Sequence, residues 1–235
     1  MTAHRLAAAL ALAGLLTAPA NAAEKRDPKN PSCPAALGWG PSQPMTFKAQ
    51  QASGRKVLVG EGMIDEGVAT RLQAALSANP DVEEIWLRSA GGNARAGNEA
   101  GKLIRKTGVP TRIPPGWACF SACNFLFMGG VGRFVDPGGH FVVHMFTHTS
   151  DRGAIEAEVL RGTESTVGLI GEIEQGSALL ASEDNDFLIR MGVSRKLLTE
   201  VMYRQKAVEE QGGDGSTRRC LTQDEVWTYN VANVR

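Results

Sequence analysis

The segment Gly116-Trp117-Ala118-Cys119-Phe120-Ser121-Ala122-Cys123 places a serine where a helix is set to begin, just ahead of Phe125-Leu126-Phe127-Met128. A hydroxyl in that position caps a helix or acts as a nucleophile. In the second case the N–H of Ala122 becomes a donor to a developing oxyanion. A second group of interest is Ser89-Ala90-Gly91-Gly92, directly after an apolar run. Glycines let backbone N–H groups approach a ligand with no Cβ in the way, although Gly-Gly turns are also plain structural turns. The third is His144 in Phe141-Val142-Val143-His144-Met145, either a core histidine with its nitrogens satisfied or a base for a nearby nucleophile. The Gly-x-Ser-x-Gly pattern of a nucleophile elbow is absent, which argues against an α/β-hydrolase.

These residues sit at the ends of alternating elements. Lys56–Gly60 reads as a strand, and Leu72, Ala75 and Leu76 mark one face of a helix over Ala69–Ala78, stopped by Asn79-Pro80. Glu84–Arg88 is a strand that runs into the Gly91-Gly92 turn. A helix from Ala94 to Lys106 follows, with Gly97, Ala100 and Gly101 on a side small enough to approach a neighbour closely. Thr111–Ile113, a helix over Ser121–Met128, and strands Arg133–Val135 and Phe141–Met145 continue the alternation. From Ile155 to Leu180 the pattern is one long helix or two. Asp186–Met191 and Ser194–Met202 are further helical pieces, Gln211–Ser216 is a loop, and Thr222–Val226 is a short last helix. Alternating strands and helices predict a layered α/β domain of stacked βα units.

The order and spacing of Leu87-Arg88-Ser89-Ala90-Gly91-Gly92, Val109-Pro110-Thr111, Gly116-x4-Ser121-Ala122, Phe127-Met128-Gly129-Gly130, Gly132-Arg133-Phe134, Pro137 and Val142-Val143-His144 resemble the catalytic subunit of the Clp protease. The resemblance is closest over residues 55–145. It implies a single-domain ClpP/crotonase-like α/β fold, a stack of βα units forming a β-β-α superhelix. It implies Ser121 as nucleophile, His144 as general base, and the N–H groups of Gly92 and Ala122 as the oxyanion hole, with no metal or cofactor. It also implies a homo-oligomer, since members of this fold form trimers, hexamers or stacked rings. Two positions depart from the pattern. Ala90 stands for a proline. The family's catalytic aspartate has no counterpart in Thr217-Arg218-Arg219, ahead of Cys220-Leu221-Thr222. Asp214 lies slightly upstream and is the candidate third acid; Glu200, Glu209 and Glu210 are weaker ones.

The N-terminus predicts the compartment. Arg5, the apolar stretch Leu6–Leu16 and Ala20-Asn21-Ala22 form the three successive regions of a secretory signal peptide, cleaved after Ala22. The expected mature chain has 235 − 22 = 213 residues: an extended Pro- and Asn-rich arm over 23–46, then a domain over 47–235. Loss of Arg5 takes the 25 basic residues to 24 against 25 acidic ones, a balance that offers nothing to nucleic acid or an anionic membrane. No later apolar run is long enough to span a bilayer. A periplasmic or secreted protein meets an oxidising environment, so Cys33, Cys119, Cys123 and Cys220 are disulfide candidates with three possible pairings. Cys33 with Cys220 is the expected pair, leaving Cys119 and Cys123 to join locally or stay reduced. Cys119-x3-Cys123 and His140-x3-His144, with His148 beyond, mimic zinc spacing, but the histidines fall on a strand rather than a finger helix. The functional expectation is a periplasmic serine hydrolase, an ATP-independent peptidase acting on peptides or unfolded chains through an acyl-enzyme. The alternatives are a ClpP-like protein with little or no activity and a binding or assembly role, and an acyl-coenzyme A enzyme of the crotonase branch, which secretion disfavours.

Overall fold

The computed structural model describes residues 25–149, 151–209 and 216–235. The expected signal peptide and Asp214 lie outside them. The chain forms two sheets. The larger contains β1 (Thr46–Ala52), β2 (Arg55–Glu61), β3 (Glu84–Arg88), β4 (Thr111–Ile113) and β6 (Arg133–Val135), in the order β1-β2-β3-β4-β6. Only β1 is antiparallel to its neighbour. The smaller sheet contains β5 (Ala118–Phe120), β7 (His140–His144) and β8 (Arg218–Cys220), in the order β5-β7-β8. A bridge between Ser89 and Cys119 joins the end of β3 to β5, so the two sheets meet beside Ser121.

Helix α1 (Val68–Ala78) buries Val68, Leu72 and Leu76 at four-residue spacing, as an amphipathic surface helix must. Helix α2 (Ala94–Thr107) is capped by Asn93, whose side chain accepts from the Ala96 N–H at 2.9 Å, and ends at Gly108 in the left-handed conformation. Its small face has a clear purpose. A Cβ on Gly97 would lie 2.6 Å from the carbonyl oxygen of Ala122, so α2 and α3 (Cys123–Gly129) pack backbone to backbone. Every residue of α3 is buried, which explains its unbroken apolar run.

Arg133 is 1% exposed and gives its guanidinium donors to the carbonyls of Gly130, Met191, Asn230 and Val231, pinning the C-terminal segment to the sheet. On the outer face, Glu84 of β3 is held by Arg112, Arg55 and the Trp86 indole.

Several boundaries differ from expectation. The helix expected from Ser121 starts at Cys123. The long helical stretch is two helices, α4 (Arg152–Arg161) and α5 (Thr163–Met191), and α5 absorbs the piece expected over Asp186–Met191. The stretch expected over Ser194–Met202 is a π-helical turn, Leu197–Val201, running into a 3₁₀ turn, Met202–Arg204. The last helix, α6 (Gln223–Thr228), carries a full capping box between Thr222 and Glu225. The arm is not a free extension. Cys33 is fully buried in a disulfide with Cys220, and the Asn30 side chain accepts from the N–H groups of Thr217 and Arg218 at 3.1 and 3.0 Å.

Candidate active site

Ser121 lies between β5 and α3, at the point where the chain reverses from strand to helix. Its φ is 57°, in the left-handed region that non-glycine residues rarely adopt. The surroundings enforce this. Cys119 and Cys123, two residues to either side, are joined by a disulfide, both fully buried. The Asn124 N–H donates to the Ser121 carbonyl at 2.9 Å. Gly91 fills the space behind it: a Cβ there would lie 2.7 Å from the Ser121 Cβ. The result is a tight strand–turn–helix corner that presents the hydroxyl, built without the flanking glycines of a nucleophile elbow. The same disulfide ties up the two thiols of the zinc-like spacing.

His144 ends β7. Its Nε2 lies 2.7 Å from the Ser121 Oγ. Two devices place it. Parallel pairing of β5 with β7 sets Phe120 beside Val142, and the Asn124 Nδ2 donates to the Val142 carbonyl at 2.8 Å, binding α3 to the strand that carries the histidine. The Phe120 ring packs against the imidazole with centroids 4.7 Å apart. Burial pushes the imidazole below its ordinary value of 6.5, against an opposing hydrogen bond with the Met145 backbone. A neutral imidazole beside a hydroxyl is the protonation state a general base requires.

The glycine turn packs against this corner at Gly91. Ser89, fully buried, accepts the Gly91 N–H on its own hydroxyl at 3.0 Å. Gly91 and Gly92 have φ of 91° and 142°. Ile64 donates to the Gly91 carbonyl and accepts from the Asn93 N–H, each at 2.8 Å, so the N–H of Gly92 between them stands outside the ladder. The Ala122 N–H is at the start of α3, where amides lack intrahelical acceptors. These are the two amides to which the resemblance seen in the sequence assigns the oxyanion hole.

The structure does not supply a third acid from the described residues. His144 pairs across the sheet with Arg218, which itself binds Asp27 at 2.7 Å. Glu200 accepts from the Tyr229 hydroxyl at 3.2 Å, and Glu209 binds Lys29 at 2.9 Å. Among the described residues no carboxylate is hydrogen-bonded to His144; Asp214 and Glu210 lie outside them. Sequence reasoning also missed Asn124 and Asp184. Both line an apolar pocket that opens beside Ser121 and His144. The available signal for Asp184 was a carboxylate at a core position of α5, between Leu180 and Leu188 at four-residue spacing.

No family model matches the sequence, and no curated protein matches it. Solved structures do. A mutant of ClpP1 from Listeria monocytogenes is similar with a TM-score of 0.51 and 15% identity, over 76% of this chain and 89% of that one. A mutant of the 1510-N membrane-bound stomatin-specific protease is similar with a TM-score of 0.46 and 14% identity, over 76% of each chain. The chain therefore has a mixed α/β fold of the ClpP type, shared with serine peptidases at low sequence identity.

Proposed function

We propose that this protein is an extracytoplasmic serine hydrolase that cleaves peptide or ester bonds through an acyl-enzyme on Ser121. The observation that carries the reading is the 2.7 Å contact between the Ser121 Oγ and the His144 Nε2, with the serine held at a left-handed corner. In this mechanism Nε2 takes the hydroxyl proton as Oγ attacks the substrate carbonyl. The N–H groups of Gly92 and Ala122 donate to the oxygen that becomes negative. The imidazolium then returns its proton to the leaving group, and water repeats the sequence to release the acyl group. The residues outlined from the sequence need no cofactor for this chemistry.

Several features support the setting. Both disulfides and the N-terminal leader pattern suit an oxidising compartment beyond the cytoplasm. Among the described residues no helix is long and apolar enough to cross a membrane. ATP is absent from such a compartment, so the substrates are short peptides or chains already unfolded. The ClpP-like fold supports a homo-oligomer. The test is release of nitrophenol from a p-nitrophenyl ester: wild type turns over and Ser121→Ala does not, whereas equal rates for the two contradict the reading.

A second reading has one observation in its favour. Arg218 occupies the strand position opposite His144, where an acid would steady the imidazolium. Without that partner the same fold serves as a binding protein with little turnover.

A further inference from the structure

The pocket beside the Ser121–His144 pair is a narrow cleft with a cavity volume of about 40 Å³, and it opens to solvent. Its walls are apolar side chains, Phe125, Met128, Phe141, Phe146 and Leu197 among them. Besides Ser121 and His144, two polar side chains interrupt them. Asp184 is 7% exposed, and its Oδ1 is buried with no hydrogen-bond partner. Asn124 is 4% exposed, and its Oδ1 is likewise unpartnered. The orientation of the Asn124 amide is fixed, because only its NH₂ can donate to the Val142 carbonyl. The Asn124 orphan is therefore an acceptor, the Asp184 orphan is one when its carboxyl is ionised, and both belong to residues lining the same space.

An unsatisfied buried acceptor is costly, and two in one apolar pocket are rarely left without purpose. Asp184 is held there firmly. It sits on the docked half of α5, where Phe187 packs edge-on against Phe125 at 5.1 Å and Arg105 donates to the Met191 carbonyl at 3.1 Å. Burial, with the charge of Glu183 nearby, pushes the Asp184 carboxyl from 3.8 up to about 7. Its charge in turn reaches Tyr203, whose phenol is raised chiefly by burial. What such a site lacks is a donor that is also a cation, carried on an apolar stem that suits the walls.

We propose that this pocket holds the side chain of the substrate, and that Asp184 and the Asn124 Oδ1 select a basic one, an aliphatic stem ending in a cationic nitrogen. The assignment of substrate choice rests on the Ser121 hydrolase reading; the binding of a basic group does not. Asp184 is a specificity residue here and takes no part in the proton transfers.

The test separates the two. In Ser121→Ala, which has no nucleophile, binding of n-hexylamine and n-hexanol is compared by NMR titration above pH 7, where the carboxyl is ionised. The amine is expected to bind at least about tenfold more tightly than the alcohol, the scale of a desolvated charge pair. Introducing Asp184→Asn in the same background should abolish that preference and keep the alcohol's affinity. Equal binding of amine and alcohol overturns the proposal without needing the second variant. An amine preference that survives Asp184→Asn overturns it as well. In parallel, wild-type protein is treated with diphenyl phosphonates bearing an aminobutyl or a butyl side chain. Faster labelling with the aminobutyl reagent supports the role in substrate choice. Absence of labelling by either, with the amine preference intact, overturns the hydrolase reading and leaves a pocket that binds basic groups.

Discussion

Ser121 pays a conformational penalty of about 1 kcal/mol for its left-handed φ of 57°. That strain is the signature of a residue whose position matters more than its comfort, and it can be measured. Ser121→Gly and Ser121→Ala both remove the hydroxyl, but only glycine relaxes the backbone. Ser121→Gly should therefore be the more stable by about 1 kcal/mol in thermal unfolding, and a lower Tm for the glycine variant would contradict the strained corner. The base makes a second prediction. Burial lowers the His144 imidazole below 6.5, so it remains neutral, and competent as a base, to a lower pH than a free histidine. Measured in Asp184→Asn, to remove the nearby carboxyl that titrates at about 7, the rate of Ser121 modification should fall on an acid limb with its midpoint below 6.5. A midpoint above 6.5 would mean that a charged partner stabilises the imidazolium, the role of the missing acid. At this scale the sequence was informative about identity and silent about geometry. The Ser121 Oγ and the His144 Nε2 lie 2.7 Å apart, and the oxyanion role of the Gly92 and Ala122 amides remains the proposal that the resemblance implies. The left-handed corner could not be foreseen, because Cys119 and Cys123 stand where glycines would have announced it.

The two disulfides divide the labour. The Cys119–Cys123 bridge closes a loop of only a few residues around the serine, while Cys33–Cys220 spans 187 positions and ties the arm to β8. On chain-entropy grounds the long bridge contributes about 5 kcal/mol and the short one about 2 kcal/mol. Replacing Cys33 and Cys220 together by alanine should lower stability more and leave the reactivity of Ser121 nearly unchanged in the folded fraction. Replacing Cys119 and Cys123 should do the reverse, lowering stability less and reactivity by about tenfold or more, as expected when a nucleophile is displaced. Equal effects on reactivity from the two pairs would show that the short bridge does not hold the corner. Elements with strong periodicity, such as α1 and α2, were legible. The three-residue strands β5 and β8 were not: Ala118-Cys119-Phe120 is too short for a period, and Arg218-Arg219 shows no apolar alternation, its charges being met by Asp27 and Glu225. The arm over 23–46 read as extended because proline and asparagine signal loops, yet its fastening depends on partners almost 190 residues away.

Taken whole, the molecule docks α5 by its C-terminal half only. Phe187, Leu188 and Met191 are buried there, whereas α4 has no buried residue, and Val159, Leu160, Val167 and Ile170 are 53%, 88%, 58% and 51% exposed. Exposed apolar side chains of this size along one helical pair fit the proposed homo-oligomer. Light scattering of the wild type should give a multiple of the chain mass, reduced to a single chain in Leu160→Glu/Ile170→Glu. A monomeric wild type would leave the ClpP-like fold intact and remove the assembly. The most direct test of the account is intact mass after treatment with a fluorophosphonate. One adduct on the folded wild type, absent from Ser121→Ala and strongly reduced in His144→Ala, is the predicted result. A folded wild type that takes up no reagent would contradict an activated serine and leave a binding protein on a peptidase fold.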